Sequence, residues 1–366
     1  MTNQLNDETW RMSEAPDDQP DLVVIRERKK TRKKHKHRKK RRVPLAAKVL
    51  AVVFAILIIG AGAAFAFINY NIAKGDEQLH APTVEETGRV IEYKGHAYEF
   101  NEDVVPILIL GKDDESNYGF DRSCTDANML VTLDTKTKAL NVIALPRDAM
   151  VDVDLYQNGE FTRTAKHQLA VAYGVDVADD DAAARNTMKS VSTLFYNLPI
   201  ERYFVLEMDA VGELATAVGG VKVEALATYP GASFEVGDTV LLEGESALKY
   251  VRYRDINVDK SAQDRQERQM QFIKAFVAKL RTIGVNNIME LYNMVQRSTY
   301  TNLDLSEITY LVSVFADGRA ATTEYSALSG ETKLEADDDG VEREHIYVDE
   351  DSVMDATLKA FYTQVS

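Results

Sequence analysis

The sequence contains one cysteine, Cys124, among its 366 residues, so no disulfide can form within the chain. Small secreted domains depend on disulfides, whereas a domain of roughly 275 residues can bury a sufficient core without them. The six histidines do not cluster beyond His35 and His37, and no HExxH, GxSxG, P-loop or Cys-His zinc pattern occurs. These absences exclude metalloprotease, serine hydrolase and P-loop NTPase chemistry.

One apolar run is long enough to span a membrane. It covers residues 49–68 without interruption, about the length that a helix needs to cross the hydrocarbon core. Upstream, 13 of the 17 residues from Arg26 to Arg42 are Lys or Arg, a bias that places the amino terminus in the cytoplasm. A cleaved signal peptide is the alternative, but residues 63–66 match a cleavage site only weakly. We predict a transmembrane helix over residues 45–70, a single-pass protein of the cell membrane and an extracellular remainder.

The segments around this helix differ in charge. Residues 1–22 are acidic and lack a periodic apolar pattern, which predicts a disordered cytoplasmic tail. Residues 23–44 form a basic juxtamembrane segment that suits anionic membrane lipids. Such tracts also bind nucleic acid, but no helix-turn-helix pattern accompanies this one, so we expect no nucleic-acid partner. Residues 71–90 are interpreted as a stalk, and 91–366 as one extracellular domain.

The extracellular part is acidic. Of the 43 basic and 58 acidic side chains, 28 basic and 51 acidic ones follow Lys48. Its overall field therefore repels anions. An anion-binding site would need a local cluster of arginines.

The pattern of apolar runs predicts an α/β fold. Residues 104–110 form a continuous apolar run, which is typical of a strand buried on both faces. Residues 129–133 and 139–145 are joined by a polar turn and indicate an antiparallel hairpin. Helical and strand-like patterns then alternate. We predict a three-layer α/β/α sandwich with a mixed central sheet.

This hairpin should bring charged residues together. Asp126 precedes its first strand and Arg147 follows its second, so the two should be close although they are 21 residues apart. Asp113 would reach the same edge if the strand at 107–110 runs parallel to the strand at 139–145. Ligand sites in α/β sheets favour the carboxyl ends of strands.

A helix predicted at 262–282 adds more charge. Its core stripe runs back from Val277 and Ile273, in steps of four, to Gln269 and Arg265. Arg268 lies on the neighbouring row and can reach the same space. Core-facing positions therefore become polar at one end of this helix.

Arg252 and Arg254 precede that helix, and side chains two apart share a face if the segment is extended. Buried arginines need carboxylate partners or a bound anion. One interpretation is that Asp113, Asp126, Asp255 and Asp264 simply pair with them. The other is a site: arginine suits phosphate oxygens, and carboxylates beside phosphate suit Mg²⁺. We favour a diphosphate-binding site.

The same residues carry a family resemblance. The successive motifs are ILILGKD at 107–113, CTD at 124–126, LPRD at 145–148, VGGV at 218–221, LKYVRYR at 248–254 and DRQERQ at 264–269. In this order they resemble the LytR-CpsA-Psr (LCP) family, over a motif core of residues 103–282. The tail and single membrane helix are also similar to that family.

The resemblance implies a membrane-anchored phosphotransferase of Gram-positive-type cell walls. Such enzymes move a glycopolymer, for example wall teichoic acid or capsular polysaccharide, from an undecaprenyl diphosphate carrier to peptidoglycan. By motif, Asp113 and Asp126 would bind Mg²⁺ (or Mn²⁺) or act as base. The implied catalytic residues are Asp113, Asp126, Arg147 and Arg254. The implied diphosphate-binding residues are Arg122, Arg147, Arg252, Arg254, Arg265, Arg268 and Gln269. Pyrophosphatase side activity is also implied, and a non-catalytic module that binds the lipid diphosphate or wall polymer is the alternative.

One position departs from the family pattern. The family usually has an arginine two residues before the second aspartate, where this chain has Cys124. Either the loop bulges so that Arg122 still reaches the diphosphate, or that contact is absent. We count Arg122 among the candidates on the first interpretation. A functional thiol at Cys124 is less favoured than a small packing residue.

Overall fold

A computed structural model describes residues 66–79, 89–112, 123–254, 261–283, 290–294, 296–317, 321–337 and 340–366. The predicted tail (1–22), the basic segment (23–44) and all but the last five residues of the predicted membrane segment (45–70) lie outside this part. Asp113 and Arg122 lie outside it as well. Within the described ranges, no helix is both long enough and apolar enough to cross a bilayer.

Strands and helices are numbered in chain order. The described strands are β1 Val90–Tyr93, β2 His96–Phe100, β3 Val104–Lys112, β4 Thr125–Asp134, β5 Leu140–Leu145, β6 Met150–Gln157, β7 Glu160–Gln168, β8 Arg202–Glu207, β9 Val221–Glu224, β10 Thr239–Leu242, β11 Thr299–Thr301, β12 Thr323–Ala327, β13 Gly330–Ala336, β14 Glu342–Val348 and β15 Tyr362–Gln364. The labelled helices are α1 Val171–Gly174, α2 Asp180–Leu194, α3 Ala210–Ala217, α4 Gly244–Arg252, α5 Ser261–Leu280, α6 Leu305–Asp317 and α7 Glu350–Phe361. A 3-10 helix covers Gln296–Ser298, and residues 66–78 and 290–294 are also helical.

A mixed sheet of six strands forms the centre, in the order β11-β8-β3-β4-β5-β12. The pairs β3/β8 and β5/β12 are parallel, and β3/β4, β4/β5 and β8/β11 are antiparallel. The predicted mixed sheet and the hairpin of β4 and β5 are therefore confirmed. Because β3 and β5 flank β4 and both run opposite to it, they point the same way. The strand that leads to Asp113 thus ends at the edge where β4 begins, with Lys112 opposite Thr125.

Alternate side chains of a strand in this sheet are buried on opposite faces. Leu108 and Leu110 of β3 join a cluster with residues of α2 and α7. Val105 and Ile107 of the same strand join a different cluster, with residues of α5 and α6. Successive side chains of a strand point to opposite faces, so the continuous apolar run of β3 reflects helices packed against both faces of the sheet.

At two glycines near the candidate active site, neighbouring residues approach the backbone closely. A Cβ atom on Gly111, near the end of β3, would lie 2.8 Å from Sδ of Met208 and 3.0 Å from Cβ of Ala127. Gly220 has a φ of +81°, and a Cβ there would lie 2.5 Å from Cδ1 of Leu241. Only glycine combines this left-handed backbone with the absence of a side chain. The VGGV motif thus allows β9 to turn and pair with β10 just before α4.

The first part of the predicted stalk is a packed helix. A Cβ on Gly75 would lie 2.2 Å from the carbonyl oxygen of Ser306, so the helix at 66–78 lies directly against the start of α6. Ser306 Oγ donates to Asn71 Oδ1 at 3.0 Å, and Gln78 Nε2 donates to Asp304 Oδ2 at 3.1 Å. The chain segment just after the predicted membrane helix is therefore fixed to the domain.

Candidate active site

The centre of the candidate site is an ion pair between Asp126 and Arg147. Asp126 is the second residue of β4, Arg147 follows the end of β5 by two residues, and Asn128 lies opposite Leu145 in the ladder. This register brings Arg147 Nη1 to Oδ1 of Asp126, which confirms the predicted proximity. On the other side, Arg265 Nη1 lies 3.7 Å from Oδ2 of Asp126. One carboxylate is therefore held between the guanidinium groups of buried Arg265 and of Arg147, whose side chain is 10% exposed.

The loop that carries Arg147 is fixed by backbone hydrogen bonds. The amide of Ala170 donates to the carbonyl oxygen of Arg147, and the amide of Ile346 donates to that of Asp148, both at 2.9 Å. Two separate elements thus hold successive peptide units. Such support keeps the Arg147 side chain in place without help from a ligand.

Helix α5 braces the end of α4. Arg268 donates from Nε to the carbonyl oxygen of Tyr250 at 3.1 Å and from Nη2 to that of Tyr253. Gln269 Nε2 donates to the carbonyl oxygen of Val251 at 3.3 Å. The last carbonyl groups of a helix have no hydrogen-bond donor within the helix. Arg268 and Gln269 supply donors to such groups at the end of α4. Arg268 and Gln269 therefore hold the segment that carries Arg252 and Arg254.

Arg252 and Arg254 reach different carboxylates. Arg252 is the last residue of α4, so the condition of an extended segment is not met at this residue. Its Nη1 lies 3.0 Å from Asp209 Oδ1, whereas Arg254 Nη2 lies 3.4 Å from Glu344 Oε2. The helix ends here because Tyr253 adopts a non-helical backbone, with ψ near 131°.

These charges face one cleft of about 1040 Å³. Its cationic lining comprises Arg147, Lys249, Arg252, Arg254, Arg265 and Arg343, and its acidic lining comprises Asp126, Asp148, Glu245, Glu342 and Glu344. Four of the predicted arginines therefore meet in one space with Asp126. Arg268 and Gln269 do not line this cleft and lie behind it.

The hairpin of β13 and β14 forms a wall of the cleft that the sequence did not predict. Its residues Leu334, Glu342, Arg343 and Glu344 line the cleft. The hairpin is held by Asp337, whose oxygens lie 2.6 Å from Arg343 Nη1 and 2.7 Å from His345 Nε2. Burial alone would raise the pKa of Asp337, but the hydrogen bonds from Arg343 and His345 lower it below its ordinary value. No motif marks these residues, since strands β13 and β14 lack a clean apolar alternation.

Comparison with known proteins agrees with this geometry. The sequence model of the LytR_cpsA_psr family matches residues 69–359. The chain belongs to this family.

Individual LCP proteins resemble it over most of their length. The chain is 27% identical over 272 residues to the polyisoprenyl-teichoic acid–peptidoglycan teichoic acid transferase TagU of Enterococcus faecalis, covering 71% of this chain and 81% of that protein. The crystal structure of Bacillus subtilis TagV superposes with a TM-score of 0.55 at 20% identity, over 70% of this chain and 95% of that one. TagT bound to LIIa-WTA gives a TM-score of 0.52 at 20% identity, over 76% and 98%. The solved structures thus share the mixed α/β fold.

The acidic residues of this LCP site suit a hard cation. In the described ranges, no three Asp, Glu, His or Cys side chains gather in a group that could hold a metal ion. Asp126 and Asp148 line the cleft, and the strand that leads to Asp113 ends beside them. Magnesium often takes only one or two protein carboxylates and completes its shell with phosphate and water. Each carboxylate oxygen has two lone pairs, so an oxygen that accepts from arginine can also bind a cation. The donor set fits Mg²⁺.

Cys124 is a buried residue rather than a reactive one. The residue is 4% exposed, and burial raises the pKa of its thiol to about 11, with Arg147 partly opposing the shift. The thiolate is the reactive form. Little of the Cys124 thiol is therefore ionised at pH 8. The position that usually holds an arginine in this family is filled by a neutral side chain.

We expect Cys124 of the native protein to resist iodoacetamide at pH 8, and its alkylation rate to rise with pH up to about 11. In urea the same thiol should react at least about tenfold faster, because unfolding restores an ordinary thiol pKa. Mass spectrometry of the alkylated peptide measures both rates. Equal rates in native and unfolded protein would contradict the buried placement.

Arg268 should contribute to stability more than to ligand contact. Burial lowers the pKa of its guanidinium, and the side chain remains charged and bonded to two carbonyl groups. We expect Arg268→Ala to lower the free energy of unfolding by about 2–4 kcal/mol, since it leaves buried acceptors unpaired. Urea unfolding followed by circular dichroism measures it. Arg185→Ala, which removes only the exposed pair with Asp181, is the control and should cost under about 1 kcal/mol.

Proposed function

We propose that this protein is a membrane-anchored LCP phosphotransferase. It transfers a glycopolymer, wall teichoic acid or a capsular or secondary wall polysaccharide, from an undecaprenyl diphosphate carrier to peptidoglycan. The resemblance to the E. faecalis teichoic acid transferase supports the transferase class. The same proposal places the amino terminus in the cytoplasm and the catalytic domain outside the cell.

A single observation carries the proposal. Arg147 and Arg265 converge on Asp126 at one end of a cleft that Arg252 and Arg254 also line. The outer part of the chain is acidic as a whole, so this local excess of arginine has a specific role. Four guanidinium groups with fixed donor directions match the oxygens of a diphosphate.

The arginines would act by position and charge. Phosphoryl transfer depends mainly on orienting the reactants and neutralising the equatorial and leaving oxygens. Arg147 and Arg265 are already held by Asp126 and the surrounding backbone, so little reorganisation is needed when the diphosphate binds. Arg252 and Arg254 approach from the other wall. Asp126 would orient the acceptor hydroxyl or take its proton.

The covalent change is one displacement at phosphorus. The acceptor oxygen forms a bond to the phosphorus that carries the glycopolymer, the bond from that phosphorus to the bridging oxygen breaks, and undecaprenyl phosphate leaves. The hydroxyl proton passes to a carboxylate, for which Asp113 and Asp126 are the candidates. Water in place of the sugar hydroxyl would give the pyrophosphatase side reaction.

Magnesium or manganese would be held by Asp113 and Asp126, and it would supply positive charge to the diphosphate oxygens. The fixed arginines already provide part of this neutralisation. Arg122, two residues before Cys124, is proposed to reach the diphosphate from the segment between Asp113 and Asp126.

The experiment uses the full-length protein in detergent. It is incubated with a diphosphate-linked saccharide on a polyprenyl carrier and with peptidoglycan, with and without Mg²⁺. Magnesium-dependent transfer that is lost in Asp113→Ala is expected. Tight binding of the donor with no turnover, with or without Mg²⁺, would support the alternative of a non-catalytic binding module instead.

A further inference from the structure

A small chamber lies behind the Asp126–Arg147 pair. Its volume is about 30 Å³, enough for one ordered water or one hydroxyl group. It shares Asp126, Arg147, Asp148 and Arg265 with the cleft, so these side chains form the partition between the two spaces. The partition side chains are therefore accessible from two directions.

The chamber adjoins a groove of about 560 Å³. The shared lining residues are Ala144, Pro146, Gln263, Gln266, Met270 and Ile346. Cleft, chamber and groove thus follow one another in series, with Asp126 between the first two. A ligand in the groove could place one group in the chamber while the diphosphate occupies the cleft.

One face of the β13–β14 hairpin covers this whole path. Leu334 lines the cleft, and Thr332, two residues away on the same strand face, lines the groove. On the partner strand Glu344 lines the cleft, and Ile346 lines the chamber and the groove. The alternation of strand side chains accounts for this arrangement.

The groove and chamber differ from the cleft in chemistry. Neither amide atom of Asn128, whose side chain is 3% exposed, has a hydrogen-bond partner among the described residues. The same holds for Nε2 of Gln266. Unpaired buried amides are unfavourable, so they indicate a ligand with hydroxyl or amide groups. Hydrocarbon there would leave them unpaired.

The charge of the groove also indicates an uncharged polar ligand. Its lining contains one cation and one carboxylate, Lys274 and Glu267, beside apolar residues such as Met270 and Leu328. The cleft, by comparison, has six cations and five carboxylates. Amide groups next to apolar patches suit the hydroxyl groups and C–H faces of neutral sugars rather than a diphosphate.

We propose that this groove binds the acceptor, a neutral N-acetylated glycan strand, and that the chamber receives its reacting hydroxyl beside Asp126. This inference rests on the proposed transferase activity. The hydroxyl oxygen would attack phosphorus from the chamber side while undecaprenyl phosphate leaves through the cleft. Its proton would pass to Asp126, which lines both spaces.

The test blocks the groove of the full-length protein. Thr332→Trp places an indole in the groove, and Lys333→Trp on the outer face of the same strand is the matched control. With a soluble N-acetylglucosamine–N-acetylmuramic acid oligosaccharide whose lactyl carboxyl groups are amidated as the neutral acceptor, we expect Thr332→Trp to raise the acceptor KM at least about tenfold. The donor KM and the binding of diphosphate-linked saccharide should not change. The control should match the parent in both.

A smaller change tests the chemistry. Gln266→Leu removes one unpaired amide at similar volume, and we expect about a tenfold rise in acceptor KM at unchanged donor KM. If Thr332→Trp raises the donor KM instead, the groove holds the polyprenyl chain and the inference is wrong. If both variants match the parent, the acceptor binds elsewhere. Absence of transfer by the parent protein would instead contradict the proposed function, independently of the groove.

Discussion

Replacing Arg254 with alanine is expected to lower kcat/KM for glycopolymer transfer by about 10²–10³, the usual effect of removing one preorganised donor from a developing anion. Both kcat and donor affinity should fall, because a contact to the transferring phosphate exists in the ground state and in the transition state. Arg254 lines the cleft and its side chain is 32% exposed. The fold should therefore tolerate its loss.

The measurement combines steady-state kinetics with binding of a polyprenyl diphosphate saccharide to the full-length protein. Lys333→Ala is the control, because Lys333 pairs with Glu331 on the outer face of the hairpin and does not line the cleft. Its kinetics should equal those of the parent. An Arg254→Ala protein with parental kcat and donor KM would remove Arg254 from the diphosphate site.

The sequence predicted the parts of the site that short-range patterns determine. The turn between β4 and β5 fixes their antiparallel register, and that register alone places Asp126 beside Arg147. The stripe of α5 likewise predicted that Arg265 faces inward. In both cases the periodicity of one or two adjacent elements is sufficient.

The remaining parts depend on contacts between distant segments. Glu344 and Arg343 reach the cleft because the hairpin of β13 and β14 folds back over it, through Asp337 and His345. Strand β13 is largely exposed, and neither β13 nor β14 shows a clean apolar alternation. The row of Arg268 on α5 predicts a position near the ligand, whereas its guanidinium donates to the carbonyl groups of Tyr250, in α4, and of Tyr253, just after it. A helix row gives the direction of a side chain but does not identify the group that it meets.

The Asp126→Ala variant should show the largest combined effect on stability and turnover. The carboxylate of Asp126 lies between Arg147 and Arg265, and the three side chains are only 16%, 10% and 8% exposed. Its removal leaves two buried positive charges close together, which typically costs about 3–5 kcal/mol. Turnover should fall by about 10²–10⁴, the range for loss of a positioned proton acceptor.

Binding of inorganic pyrophosphate distinguishes the loss of the Asp126 charge from a simple loss of packing. In Asp126→Ala the two arginines lack this carboxylate, so the anion should bind more tightly than to the parent and raise Tm more, by mass action on the folded state. Thermal unfolding of the full-length protein with and without pyrophosphate measures the difference. Asp152→Ala, which removes only the exposed pair with Lys166, should match the parent in Tm, turnover and pyrophosphate response. If Asp126→Ala behaves like this control, the carboxylate does not balance the arginines, and the cleft owes its anion affinity to other residues.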